Sequence, residues 1–430
     1  MGPEQIARTH AVKPLRVALL SYRSKPHCGG QGIYVRHLAR ELAALGHQVD
    51  VLSGQPYPDL EQPPPGTGTV NLRPLPSLDL YRDDDPFRTP PLGEWRDLVD
   101  VLEIATMWTG GFPEPLTFSL RAARALAARR AHYDVVHDNQ SLGYGLLRLR
   151  QLGLPLVATV HHPITVDRRV ELAAVSSLKK RLSLHRWYAF TRMQARVARA
   201  IPSLLTVSES SRGDIVSDFG VQPDAVSVVP VGVDTSAFMP PTAPRVPGRI
   251  VSVASSDSPM KGARVLLEAV AKLATERDVE LVMVGTPKAD GPVLRAVDEL
   301  GIGDRVRFVA GLPTAALAEL FGSAEIAVVP SLYEGFSIPA VEAMACETPL
   351  VATTAGALPE VVGDCAVLVE PGNAADLAAA LAALFDDEPR RRELGLAGRR
   401  RVEQRYTWRA VAQATAEIYR RTIEDFHAHR

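Results

Sequence analysis

Residues 324–353 read AEIAVVPSLYEGFSIPAVEAMACETPLVAT. Ala324 to Pro330 is a short apolar run closed by a turn-forming residue, the pattern of a strand covered on both faces. Ile338 to Cys346 reads as the helix that follows, and Pro349 to Ala352 as the next strand. The Gly-Phe-Ser turn between strand and helix leaves the amides of Gly335, Phe336 and Ser337 as unpaired donors at a helix N-terminus, where an anion such as a diphosphate can sit. Glu334 lies just ahead of that mouth, and Glu342 one to two turns inside the helix. A carboxylate beside an anion repels it, so both acids must be aimed at something neutral and rich in donors. Sugar hydroxyls meet that requirement.

The same alternation extends along the chain. In the first half a strand at Leu15 to Ser21 leads through a glycine-containing loop to a helix at Ile33 to Leu45, stopped at Gly46, and a strand at Gln48 to Ser53. Such a crossover pairs its strands in parallel. Further strands are expected at 134–137, 155–160, 203–207 and 226–229, then at 249–254, 279–284, 305–309, 325–329 and 349–352. Two tandem sets of this kind imply an α/β chain of two Rossmann-like, doubly wound parallel-sheet domains facing across a cleft, with ligands at the carboxyl ends of the strands. Residues 54–115 read as an irregular excursion, rich at first in Pro, Gly and Asp. Pro230, Pro240, Pro241, Pro244 and Pro247 mark a linker. The expected division is a first domain at 1–235, a second at 236–408, and a final helix at 409–430.

At 430 residues the chain exceeds the size at which one core keeps growing, so two domains are the default. The net charge of −1 argues against a general nucleic-acid binder. Cys28, Cys346 and Cys365 have no metal-ligand spacing and are too few for a disulfide framework. The apolar run Val17 to Leu20 is too short for a signal-peptide core or a membrane span. A cytoplasmic protein is expected.

Other constellations are less specific. Gly29, Gly30 and Gly32 lie between the first strand and helix, where backbone can approach a ligand. A dinucleotide-binding reading, with Asp50 as its acid, stays a minor alternative, because Val35 stands where the third glycine of G-x-G-x-x-G belongs. His161 and His162 end a strand and emerge at its carboxyl edge. Ser208 reads as a helix cap. Asp83, Asp84 and Asp85 sit in the irregular excursion and read as a solvated acidic loop; with no His/Asp/Glu cluster elsewhere, no metal is expected. Residues 168–200 carry nine Lys or Arg against Glu171. Read as a helix, Arg181, His185, Arg192, Arg196 and Arg199 share a flank that suits an anionic membrane surface, with Trp187 and Tyr188 at its interface.

The block from Pro330 through Glu334-Gly335-Phe336, Pro339, Glu342-Ala343 and Pro349 to Thr353 resembles the Glu-x7-Glu signature of family-4 glycosyltransferases, enzymes of the GT-B fold. The likeness is densest over 250–370, is traceable over 15–233, and gives no usable motif over 54–115. It implies that Glu334 contacts the transferred sugar, Glu342 the nucleotide ribose, and the 335–337 amides the phosphate, while Gly30 and His161 line the reacting centre. Lys261-Gly262 matches the cation that clamps the donor diphosphate. Ser256 stands where the family has its partner arginine; Arg264 or the hydroxyls of Ser255 and Ser256 are candidate replacements. The implied activity is retaining, metal-independent transfer of a hexose from a nucleotide sugar, without a cofactor, to an acceptor hydroxyl whose carrier could be a lipid. The competing readings are a phosphorylase or epimerase on the same frame, or a weakly active sugar-nucleotide-binding protein, because of Ser256.

Overall fold

The computed structural model describes residues 13–24, 30–82, 84–173, 175–253 and 258–428; Cys28, Gly29, Asp83, Ser255 and Ser256 lie outside them. The chain runs through β1 (Arg16–Ser21), α1 (Gly30–Ala44), β2 (Gln48–Ser53), β3 (Thr69–Pro74), the hairpin β4 (Tyr81–Arg82) and β5 (Asp85–Pro86), α2 (Leu98–Trp108), α3 (Glu114–Ala127), β6 (Val135–Asn139), α4 (Gly145–Gln151), β7 (Leu156–Thr159), α5 (Thr165–Ala173), α6 (Leu178–Trp187), α7 (Phe190–Ala198), β8 (Ser203–Thr206), α8 (Glu209–Phe219) and β9 (Val226–Val228). It continues through β10 (Val246–Val253), α9 (Ala263–Ala274), β11 (Glu280–Val284), α10 (Pro292–Leu300), β12 (Val306–Val309), α11 (Thr314–Ser323), β13 (Ala324–Val329), α12 (Ile338–Ala345), β14 (Leu350–Thr353), α13 (Leu358–Val362), β15 (Val367–Val369), α14 (Ala374–Asp386), α15 (Glu388–Arg405) and α16 (Trp408–Ala428).

Two sheets result, ordered β3-β2-β1-β6-β7-β8-β9 and β12-β11-β10-β13-β14-β15. The pairings are parallel, as Val17 opposite Val49 and Val135 illustrates. Helical crossovers cover both faces of such sheets, which is why the strands are continuously apolar; Val17, Ala18, Leu19 and Leu20 are all fully buried. In the second sheet Ile250, Leu281, Ile326, Val328 and Val351 pack with Leu266, Leu267 and Val270 of α9 and Leu377 and Leu381 of α14.

The chain forms two compact units. One comprises the segments up to Thr159, Asp167–Leu204 and from Ala412 onward; the other comprises Val160–Val166 and Leu205–Val411. In the first, Tyr419 of α16 is fully buried, its hydroxyl 2.6 Å from His137 Nδ1, while His137 Nε2 lies 2.7 Å from Thr159 Oγ1.

Two expectations are corrected. The stretch 54–115 is not irregular throughout, because it supplies β3, paired in parallel with β2, and helix α2. β3 is an edge strand burying only Val70, so it lacks the apolar run of a central strand. In α2 the acids Asp100 and Glu103 turn inward onto Arg121 while Leu98, Val101 and Leu102 face out. That inverts the usual amphipathic pattern. Residues 168–200 are likewise not one helix. α6 ends at Trp187 and α7 begins at Phe190, so Arg181 and His185 lie on a different helix from Arg192 and Arg196. Trp187 packs against Phe112, Tyr81 and Phe87 at ring-centroid distances of 5.1, 5.8 and 6.0 Å, and Tyr188 is buried. Neither aromatic faces an interface.

Candidate active site

The second unit brings Lys261 and Glu334 together, with Nζ 2.6 Å from Oε1. Each is placed by its loop. β13 delivers the chain to Pro330 and Ser331, whose hydroxyl donates to Glu334 Oε1 at 2.8 Å and whose carbonyl accepts from Thr353 Oγ1 of β14 at 2.6 Å. The Glu334 carbonyl accepts from the Ala357 amide at 2.9 Å. On the other loop, the Met260 carbonyl accepts from the Leu332 amide at 2.7 Å. Gly262 has φ of +66°, and a Cβ there would lie 1.9 Å from the Pro330 carbonyl oxygen. Only glycine permits that approach, which fixes Lys261 beside Glu334. The Glu334 side chain is 9% exposed and that of Lys261 32%. Such a part-buried pair contributes little net stability.

The mouth of α12 is short of acceptors. Ser337, with φ of +83°, is 5% exposed, and its hydroxyl has no partner among the described residues. Among the described residues, no carbonyl accepts from the amides of Gly335, Phe336 or Ser337. Pro339, in the helix's first turn, has no amide hydrogen to add. A buried unpaired hydroxyl costs about 1–3 kcal/mol, and a non-glycine residue at positive φ is strained. Both costs are met if an anion supplies the missing oxygens. Phe336 is held by an edge-to-face contact with Tyr406, 5.6 Å between centroids.

Glu342 is half-buried and has no ion-pair or hydrogen-bond partner among the described residues; burial pushes its carboxyl up to about 7. A carboxylate left without a protein donor suits a ligand that brings hydroxyls. His161 and His162 follow β7 in the short segment that packs with the second unit. A Cβ on Gly335 would lie 3.4 Å from the His161 carbonyl oxygen and 3.3 Å from His162 Cβ, so their backbone abuts the donor loop. Burial, with help from His162, pulls the His161 imidazole down to about 3. It is neutral at physiological pH and offers a hydrogen bond, not a charge.

The structure thus gathers Lys261, Glu334, Gly335, Phe336, Ser337 and the His161 backbone within one unit; Glu342 lies on α12, the helix that follows the 335–337 turn. Gly30 opens α1 in the first unit and is exposed. Arg264, a candidate replacement for the arginine missing at Ser256, is exposed and paired with Glu268 at 3.0 Å and Glu299 at 3.1 Å. Ser208 caps α8, its hydroxyl accepting from the Ser211 amide at 3.0 Å. Ser331, three residues before Glu334, was missed; a hydroxyl at that spacing across a turn is the local signal that could have found it.

The glycosyl transferases group 1 family model matches residues 237–401 and the glycosyltransferase family 4 model residues 28–237. A relative from Mycolicibacterium hassiacum, MMP alpha-(1->4)-mannosyltransferase, is 56% identical over 95% of this chain and 98% of its own. Among solved structures, the sucrose-phosphate synthase of Thermosynechococcus elongatus superposes with a TM-score of 0.70 at 24% identity, covering 96% of this chain and all of its own. Anabaena Alr3699/HepE, solved with UDP-glucose, superposes with a TM-score of 0.65 at 16% identity, covering 94% and 98%. With two parallel-sheet units and these two matches laid end to end, the chain belongs to the family-4, group 1 glycosyltransferases of the GT-B fold.

Proposed function

We propose that the protein is a cytoplasmic, retaining, metal-independent hexosyltransferase using a nucleoside-diphosphate sugar, with mannose the favoured hexose. The observation that carries this reading is the Lys261–Glu334 pair beside the acceptor-poor mouth of α12. The mannosyltransferase named above supports the choice of sugar, and the Anabaena protein's UDP-glucose supports the class of donor.

In this reading the 335–337 amides, the Ser337 hydroxyl and Lys261 hold the diphosphate. Glu342 accepts hydrogen bonds from the ribose, and Glu334 from the sugar. The acceptor oxygen approaches the anomeric carbon on the face from which the phosphate leaves. As the new C–O bond forms, the C1–O bond to phosphate breaks with its electron pair going to the diphosphate, and the acceptor's proton passes to a phosphate oxygen. Lys261 offsets the negative charge that grows there. We also infer contact with an anionic membrane surface through α6.

The test is release of nucleoside diphosphate from a panel of nucleotide sugars, with and without oligosaccharide acceptors. Acceptor-dependent release is expected, with kcat falling about 100–1,000-fold in Lys261→Ala, as for removal of one charge-stabilising donor. Release indifferent to acceptor, or to Lys261, sinks the reading.

A further inference from the structure

We propose that Ser208 and Ser211, on the first turn of α8, are positioning residues of the donor site: they hold the Gly335 carbonyl and thereby aim the Phe336 amide at the donor's diphosphate. This rests on the reading of the α12 mouth given above.

Two hydroxyls converge on one carbonyl. Ser208 Oγ donates to the Gly335 oxygen at 2.7 Å and Ser211 Oγ at 3.1 Å. The Ser208 hydroxyl has one proton, committed to Gly335, and a lone pair that takes the Ser211 amide, so its direction is fixed. The Gly335 C=O and the Phe336 N–H belong to one planar trans peptide and point in opposite directions. Holding the oxygen against α8 therefore turns the Phe336 N–H away from α8. That amide has no acceptor among the described residues.

Three further contacts stiffen the arrangement. Tyr333 Oη donates to Asp214 Oδ2 of α8 at 2.6 Å. The Glu360 carboxylate accepts from the Glu209 and Ser210 amides at 2.9 and 3.4 Å, which tethers the N-terminus of α8 to α13. On the far side Phe336 is pinned to Tyr406. The approach is close: a Cβ at Gly335 would lie 3.3 Å from Ser211 Oγ, so a side chain there would require the serine to shift by about a few tenths of an ångström. A donor amide aimed before the substrate arrives costs no reorganisation during reaction. α8 thus sets the direction of one donor at the mouth of α12.

The experiment compares Ser211→Ala and Ser208→Asp with wild type and Lys261→Ala in donor-saturation kinetics. Asp is as good a cap as Ser but cannot donate to a carbonyl, so it separates capping from aiming. Both serine variants are expected to lose about 5–10-fold in kcat/KM for the donor, the scale of one hydrogen bond. The Ser211→Ala melting temperature should stay near wild type, Ser208→Asp should melt lower because its buried carboxylate faces the Gly335 carbonyl and Glu360, and Ser208→Thr should recover activity. If Ser208→Asp fails to fold, Ser211→Ala, which leaves the cap intact, decides. Serine variants within twofold of wild type, beside a crippled Lys261→Ala, overturn the aiming role alone. A wild-type chain without acceptor-dependent release overturns the donor-site reading and this inference with it.

Discussion

Glu342 couples the site to pH. Its carboxyl is raised by burial to about 7, above the unfolded value, so between those two pKa values the folded chain binds a proton that the unfolded chain has released. The stability associated with that proton is fully present below the unfolded pKa and is lost as pH rises through about 7. Glu342→Gln should therefore melt higher than wild type at pH 8 by about 2 kcal/mol, with little difference at pH 4, read by urea unfolding at both. An equal offset at the two pH values would show that the carboxyl titrates normally. Since the ionised form is the stronger acceptor, the donor's KM should fall as pH rises through 7 in wild type and stay flat in the variant. Lys261, Glu334 and the 335–337 turn were legible because each sits in a contiguous motif whose strand-turn-helix setting is itself readable. Ser331, Ser208 and Ser211 act through partners that the fold supplies; Ser208 reaches a carbonyl 127 positions away, a relation that no local spacing encodes.

The end of α12 opposite the 335–337 turn is held by arginine. Arg245 Nη1 donates to the carbonyls of Gly322 and Ala324 at 2.9 and 2.8 Å, and Nη2 to those of Cys346 and Glu347 at 3.2 and 2.8 Å. One guanidinium thus closes the C-terminal ends of α11 and α12, where a cation also meets the negative end of each helix dipole. Arg399 adds a bond to the Ala345 carbonyl at 2.8 Å. Arg245→Met should cost about 3 kcal/mol in urea unfolding, because it strands several carbonyls at once, and Arg245→Lys should recover only part of it, lacking the planar fork. A loss below 1 kcal/mol would mean that water or Arg399 takes over the caps. The central strands were readable because their apolar runs are continuous. β3 and β15 were not: β3 buries only Val70, and β15 is three residues long. Arg245 itself stood unnoticed in a proline-rich stretch that looked like linker.

Over the whole molecule, a net charge of −1 conceals a separation: residues 168–200 carry +8 and the rest of the chain −9. Separation of this size makes a field that a near-neutral total hides. Most of α6 has no compensating partner. Lys179, Lys180, Arg181 and Arg186 are exposed and without ion pairs among the described residues, and no residue of α6 is buried. Leu178 and Leu182, one turn apart, are 73% and 57% exposed. Apart from its Trp187 end, α6 has little buried surface to offset the entropy of its ordering. Cations around an apolar stripe suit an anionic bilayer, each worth about 1 kcal/mol near such a surface. No described helix is long and apolar enough to cross a membrane, so any attachment through α6 would be peripheral. The protein should pellet with vesicles containing anionic lipid at low salt, not with zwitterionic ones, and should be released by high salt, which shortens the reach of the field. Replacing Lys179, Lys180 and Arg181 by Glu should abolish pelleting while leaving kcat on a soluble acceptor unchanged, since these residues lie on none of the elements that carry Lys261 or Glu334. Pelleting that survives the replacement would assign the attachment to apolar contact alone, and no pelleting at low salt would remove the membrane from the account.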